Sequence, residues 1–157
     1  MTRLAALALV LVAAAGCGSG ASAPKADPGQ AAVHVVQLIS HNRYAEAWDV
    51  LAPSDQKVAP REEYVSCESR SPVLAAPQSV RVLGSSDESV GLGDGTFVTT
   101  KAVRLQLVFG TFRVTQTVHL LAAKGTWRWI LKPDRYRIYK ANGCPSDAGS
   151  TPPPSTS

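Results

Sequence analysis

Cys17 carries the most legible chemistry in the chain. Its thiol is a nucleophile, and it closes the string LAALALVLVAAAGC directly behind Ala14, Ala15 and Gly16. One basic residue, Arg3, precedes an apolar run over residues 4–15. Twelve apolar residues are too few to span a bilayer but suit the central segment of a secretory signal. Small side chains before the cysteine let a peptidase groove approach the backbone. The thiol can then be capped by a diacylglyceryl group, with acyl chains such as palmitate. The string resembles a bacterial lipobox, with Ala14 where leucine is commoner. The expectation is a signal peptide over 1–16, a lipid on Cys17, and a chain held at the extracytoplasmic face of the cell membrane.

Two cysteines remain, Cys67 and Cys144. An even pair in an exported domain predicts a disulfide. Metal chemistry has no support, because two isolated cysteines and the scattered His34, His41 and His119 lack ligand spacing. His41 lies in a break between helical segments and His119 on the polar face of a strand, so both read as solvated or locally hydrogen-bonded. GLGDGT at 91–96 superficially matches a phosphate loop, but a strand follows it and no Lys-Ser or Lys-Thr pair is present. It reads as a hairpin loop. No G-x-S-x-G nucleophile elbow occurs. The sequence assigns no catalytic residue and calls for no cofactor.

Binding chemistry has more to work with. Parity places Gln116 with Val114, Val118 and Leu120 on the core face of a strand. A buried amide must find partners or it costs a kcal/mol or more. It is either a polar contact in a ligand pocket lined by Trp127 and Trp129, or an amide bonded to a helix or to buried water. The two tryptophans are likewise either pocket wall or plain core. Arg104, Arg113, Arg128, Lys132, Arg135 and Arg137 all take the outward parity of predicted strands, with Thr115, Thr117 and His119 among them. That face is either a solvated surface or a site for anionic lipid, an anionic wall polymer or an acidic envelope protein.

Charge is divided unevenly. Residues 18–100 hold six Lys or Arg and ten Asp or Glu, a net of −4, whereas residues 101–140 hold nine basic residues against Asp134 alone, a net of +8. With Asp147 the chain beyond the signal carries +3. Nucleic acid is excluded as a partner by export rather than by charge.

The elements that position these residues follow from hydrophobic period. Residues 17–28 are small, polar and Pro-containing and predict a flexible tether with a root-mean-square reach of about 17 Å. Residues 145–157, PSDAGSTPPPSTS, predict a disordered tail that is either glycosylated or bare. Between them, residues 29–144 suffice for one core. Ala32, Val35, Val36 and Ile39 mark one helical face, and Tyr44, Ala47, Trp48 and Leu51 a second that Pro53 ends. A third helix begins at Pro60, with Glu62 and Glu63 in its first turn and Tyr64 and Cys67 on neighbouring turns. From Val80 the period changes to two. A short strand at Val80 and Val82 is followed by SSDES as a loop, then by alternating strands around Leu105, Val118 and Trp129, with turns at Asp94-Gly95, Gly110-Thr111 and Lys124-Gly125. A last strand over 135–140 delivers Cys144 to the third helix. The fold class is α+β, N-terminal helices packed on a curved antiparallel sheet of four or more strands.

The strings RYAEAWDVLAPSDQ and REEYVSC, then a meander closing on GTWRWIL and a final cysteine, resemble small exported bacterial lipoproteins with a nuclear-transport-factor-2-like fold. The resemblance spans residues 31–144. It implies a cone in which a curved sheet wraps a helix, in some members with a pocket at its mouth. Some enzymes of that fold use an aspartate base and a tyrosine donor inside the cone; the matching residue types here are Asp49 and Tyr44, with Tyr64, Tyr136 and Tyr139, in no string that transfers a role. The resulting expectation is a non-catalytic binding or interaction module. The alternative is a small-molecule carrier or enzyme, its pocket formed by Gln116, Trp127, Trp129 and Tyr44. A roomy interior with polar lining favours the pocket; a filled one favours the surface.

Overall fold

The computed structural model describes residues 24–92 and 94–145. The expected signal peptide, Cys17, most of the tether and all but Pro145 of the tail lie outside the described residues, as does Gly93 of the GLGDGT loop. Four helices, α1 (Pro28–Ser40), α2 (Tyr44–Asp49), α3 (Pro53–Val58) and α4 (Arg61–Ser69), precede strands β1 (Ser79–Gly91), β2 (Phe97–Phe109), β3 (Phe112–Ala123) and β4 (Thr126–Trp129), and α5 (Pro133–Lys140) follows. The strands form one antiparallel sheet in the order β1-β2-β3-β4. The expected α+β class, helices against a curved antiparallel sheet, is the observed one.

Helix α1 starts where the Asp27 carboxylate accepts the Gln30 N–H at 2.9 Å and Pro28 supplies a pre-set first turn. Ala32, Val35 and Val36 bury the predicted stripe, and Ile39 is half-buried beside it. Gly29 lets the helix approach the sheet, since a Cβ there would lie 3.1 Å from Val82 Cγ2 and 2.8 Å from Asp27 Oδ1. The stripe packs against Val103, Leu105, Leu107, Val118 and Leu120 on the concave face. The second helical segment ends at Asp49, with Val50 as its C-cap and Leu51 in an isolated bridge to Trp129, so Pro53 does not end it but opens the short helix α3.

Three expectations are corrected. SSDES is no loop: β1 runs unbroken to Gly91, pairing Ser85, Ser86, Asp87, Glu88 and Ser89 with β2, with a bulge between Val82 and Gly84. An edge strand can be polar throughout because its side chains need not be buried. Residues 135–140 form helix α5, not a strand. The alternation in RYRIYK mimics period two, but Pro133 fixes a helical first turn, Asp134 pairs with Arg137 three residues on, and Tyr136 and Tyr139, also three apart, are both buried. Consequently Arg135 and Arg137 lie on a helix and Lys132 at its N-cap, so the six basic residues do not share one sheet face.

The Cys67–Cys144 disulfide is present, with Cα atoms 5.4 Å apart across 77 residues. It joins α4 to the chain leaving α5, so a helix rather than the expected strand delivers Cys144. Among the described residues no helix is long and apolar enough to cross a membrane.

Candidate functional site

Trp129 organises the site. Its indole N–H donates to Ala47 O at 2.7 Å, its backbone N–H donates to Val50 O at 3.2 Å, and its carbonyl accepts from Ala52 N at 2.8 Å. These bonds fasten the end of β4 to the link between α2 and α3. Two residues on, Leu131 N–H donates to Oδ2 of the fully buried Asp55 at 2.6 Å, and Pro133 then begins α5. The chain is thereby drawn off the sheet after Ile130, whose N–H makes a last bond to His119 O at 3.1 Å.

Among the described residues, the early departure of β4 leaves half of β3 without a neighbour on the side away from β2. Two-residue turns at Gly110-Thr111 and Lys124-Gly125 are flanked by the pairs Phe109↔Phe112 and Ala123↔Thr126. In an antiparallel ladder, backbone bonds point alternately to either side. Even-numbered residues of β3 therefore bond to β2, and odd-numbered residues face the other way. Leu121 and Ala123 use that side for β4, and His119 for Ile130. Arg113, Thr115 and Thr117 face no strand among the described residues.

A cleft of about 850 Å³ lies along this edge and wraps both of its faces. Val114, Gln116 and Val118 line it from the concave side, and Thr115, Thr117 and His119 from the other. Opposite stand Val35 and Ile39 of α1, Tyr44 of α2, and Tyr64 and Glu68 of α4, with Trp129 at the floor and residues 130–135 along one rim. Tyr64 packs edge-on to Trp129, ring centroids 6.4 Å apart, and tilted against Tyr139 at 5.9 Å.

Glu68 is the polar centre of the helical wall, 9 % exposed. Its Oε1 accepts from Arg135 Nη1 at 2.5 Å and from the Tyr139 hydroxyl at 2.8 Å. Burial would lower the Arg135 pKa, but the hydrogen bond and charge of Glu68 outweigh it and hold the guanidinium above its ordinary value. Burial first, then the nearby Glu68 charge, pushes the Tyr64 phenol well up; for Tyr139 burial leads and its bond to Glu68 adds to it. Both phenols are therefore held as neutral hydroxyls. His119 is bridged to Glu88 at 3.2 Å across the small Thr100 and Ala102 of β2, and burial, opposed by Glu88, lowers its pKa. The Gln116 amide has no hydrogen-bond partner among the described residues and is half-buried in the cleft wall.

Of the residues singled out in the sequence, Tyr44, Gln116 and Trp129 meet in this cleft. Trp127 does not line it; its indole N–H donates to Ala26 O at 2.8 Å, at the other end of β4. Arg104 and Arg113 are exposed on the sheet, Arg128 is half-buried and donates to Asp49 O, Arg135 and Lys132 line the cleft, and Arg137 is held by Asp134. Asp49 is paired with Arg61 at 3.4 Å outside the cleft. Sequence reasoning missed Glu68, Asp55 and Asn42. Asn42, at φ 59°, accepts from Val73 N at 2.8 Å and from the Tyr44 hydroxyl at 2.6 Å, fixing one wall. An asparagine in the helix break SHNR is the one local signal that pointed to such a role.

Comparison with protein-family models, curated proteins and solved structures found no match. Fold and cleft together define the class: an α+β domain whose sheet ends in an open, aromatic-walled edge.

Proposed function

We propose that this chain is an extracytoplasmic lipoprotein, anchored through Cys17, whose nuclear-transport-factor-2-like domain is a non-catalytic binding module. Its ligand occupies the cleft beside β3. The observation that carries this reading is the cleft itself, about 850 Å³, with aromatic rings on one side and the unengaged Gln116 amide on the other. That volume falls in the range of ligand pockets, and a few placed polar groups in an apolar lining are what such pockets use for orientation. Two titratable groups of the wall are committed to neighbours, Glu68 to Arg135 and Tyr139 and His119 to Glu88, while Lys132 on the rim is not, among the described residues. Such pairs hold shape and recognise; they leave the half-buried Gln116 amide to meet a ligand, with the buried Tyr64 ring supporting the wall behind. A small-molecule carrier is the second reading, favoured by the same volume.

The test is native mass spectrometry of the mature chain purified from membranes, beside Val114→Trp and Gln116→Leu. A discrete adduct on the wild type, with occupancy reduced about tenfold in the variants, is expected. A bare mass, together with no uptake of the apolar dye anilinonaphthalene sulfonate, overturns the cleft as a binding site. Labelling with radioactive palmitate, lost in Cys17→Ser, tests the anchor.

A further inference from the structure

We infer that the cleft binds an extended, acidic peptide segment of a partner protein, which adds to β3 as a fifth strand. This rests on the cleft being the binding site and names what it takes. The argument begins with the backbone. The N–H and C=O groups of Arg113, Thr115 and Thr117 point away from β2, those of Thr115 and Thr117 along the cleft, and no described strand bonds to them on that side. A small ligand seated among the side chains leaves that row of groups to water. A polypeptide in β conformation satisfies them in register, one bond for each group offered.

The two edges of the sheet are built differently. At one edge, β1 carries Arg81, Asp87 and Glu88 and is kinked by the bulge between Val82 and Gly84, features that blunt an edge against pairing. The open half of β3 reads FRVTQTV: no proline, no glycine, no bulge, and one charge. Phe112 and Val114 stand 76 % and 49 % exposed on its concave face. A strand laid here covers both.

Period and charge then specify the peptide. Residues opposite Val114, Gln116 and Val118 turn their side chains to the concave face, toward Tyr44, Tyr64 and Trp129, so alternate positions are apolar or aromatic. The open edge is bracketed by Arg113 at its start and by Lys132 on the cleft rim, neither of which has a carboxylate partner among the described residues. The cleft's own carboxylates are spoken for, Glu68 by Arg135 and Asp134 by Arg137. Acidic residues at the intervening positions complement what remains. From Arg113 to His119 the edge is about 20 Å long, room for five to seven residues.

The probe is a fluorescein-labelled decapeptide of alternating valine or phenylalanine and glutamate, titrated against the full mature chain by anisotropy. Two alterations remove backbone pairing and spare the rest. One is the same peptide with alternate amides N-methylated. The other is Thr115→Pro, which deletes an N–H on the open side and leaves the β2 ladder intact. Saturable binding that weakens about tenfold or more with either change is expected. No saturable binding, or binding indifferent to N-methylation, overturns strand addition. If anilinonaphthalene sulfonate or a native adduct still occupies the cleft in that case, the binding site stands and only the peptide falls; if neither does, both fall. A concentration-dependent dimer, abolished by Thr115→Pro, overturns the partner peptide and makes a second copy of the chain the occupant.

Discussion

Asp55 is the side chain on which the shape of the binding edge turns. It is fully buried, takes the Leu131 N–H on one oxygen and the Ser54 hydroxyl on the other at 3.0 Å, and so prevents β4 from running the length of β3. Burial raises its pKa above the ordinary 3.8, against the pull of those two donors. The folded state therefore binds the proton more tightly than the unfolded chain. The stability this proton linkage provides is full below the unfolded value and is lost as pH rises through the folded one. Asp55→Asn has no proton to release. Urea melts at pH 4 and pH 7 are expected to show the wild type losing stability relative to Asp55→Asn as pH rises. Asp55→Ala, which strands the buried Leu131 N–H, is expected to cost about 1–3 kcal/mol at both.

At the scale of elements, what the sequence made legible was whatever repeats. The faces of α1 and α4, the β2 and β3 alternation and the two-residue turns are written in period and turn chemistry, and the structure has them. What it concealed was decided by partners distant in sequence. The fate of residues 130–140 depends on Asp55 and Ala47, some eighty positions earlier, and RYRIYK satisfies a strand pattern as well as a helical one. SSDES has the polarity of a loop, yet an outer strand needs no apolar face, and its pairing to β2 is not written in local period. Gln116 was found by parity alone; Glu68 was invisible because its partners lie 67 and 71 residues away. One turn offers a direct check. Lys124 and Gly125 both have positive φ, 50° and 73°, the pattern of a turn that favours Asn-Gly. Lys124→Asn is expected to raise stability by about 0.5–1 kcal/mol in thermal melts, and Gly125→Ala to lower it by about 1 kcal/mol.

The whole molecule is closed by the Cys67–Cys144 bridge. It spans 77 residues, so the entire sheet and α5 lie within its loop. Loop-closure entropy for that length corresponds to about 4 kcal/mol, a large part of the stability of a domain this size. Reduction, or the Cys67→Ser/Cys144→Ser pair, is expected to lower the denaturant midpoint accordingly and to loosen α5 against α4. An unchanged midpoint under reductant assigns the closure to packing instead. The +8 of residues 101–140 and the −4 before them meet in this loop-closed body, in pairs such as Lys101–Asp87 and Arg135–Glu68.

The bond from the Trp127 indole to Ala26 has a further consequence, one of height and direction. With Cys17 as the anchor, only nine links separate the lipid from a point held at the β3–β4 tip, a span of at most about 30 Å. From that tip β3 runs back twelve residues, about 37 Å, to Phe112. The leash grips one end of the strand and the unpaired edge sits toward the other. On the proposed Cys17 anchor, such a mooring keeps the gripped tip within reach of the lipid and leaves the unpaired edge toward the far end of the strand.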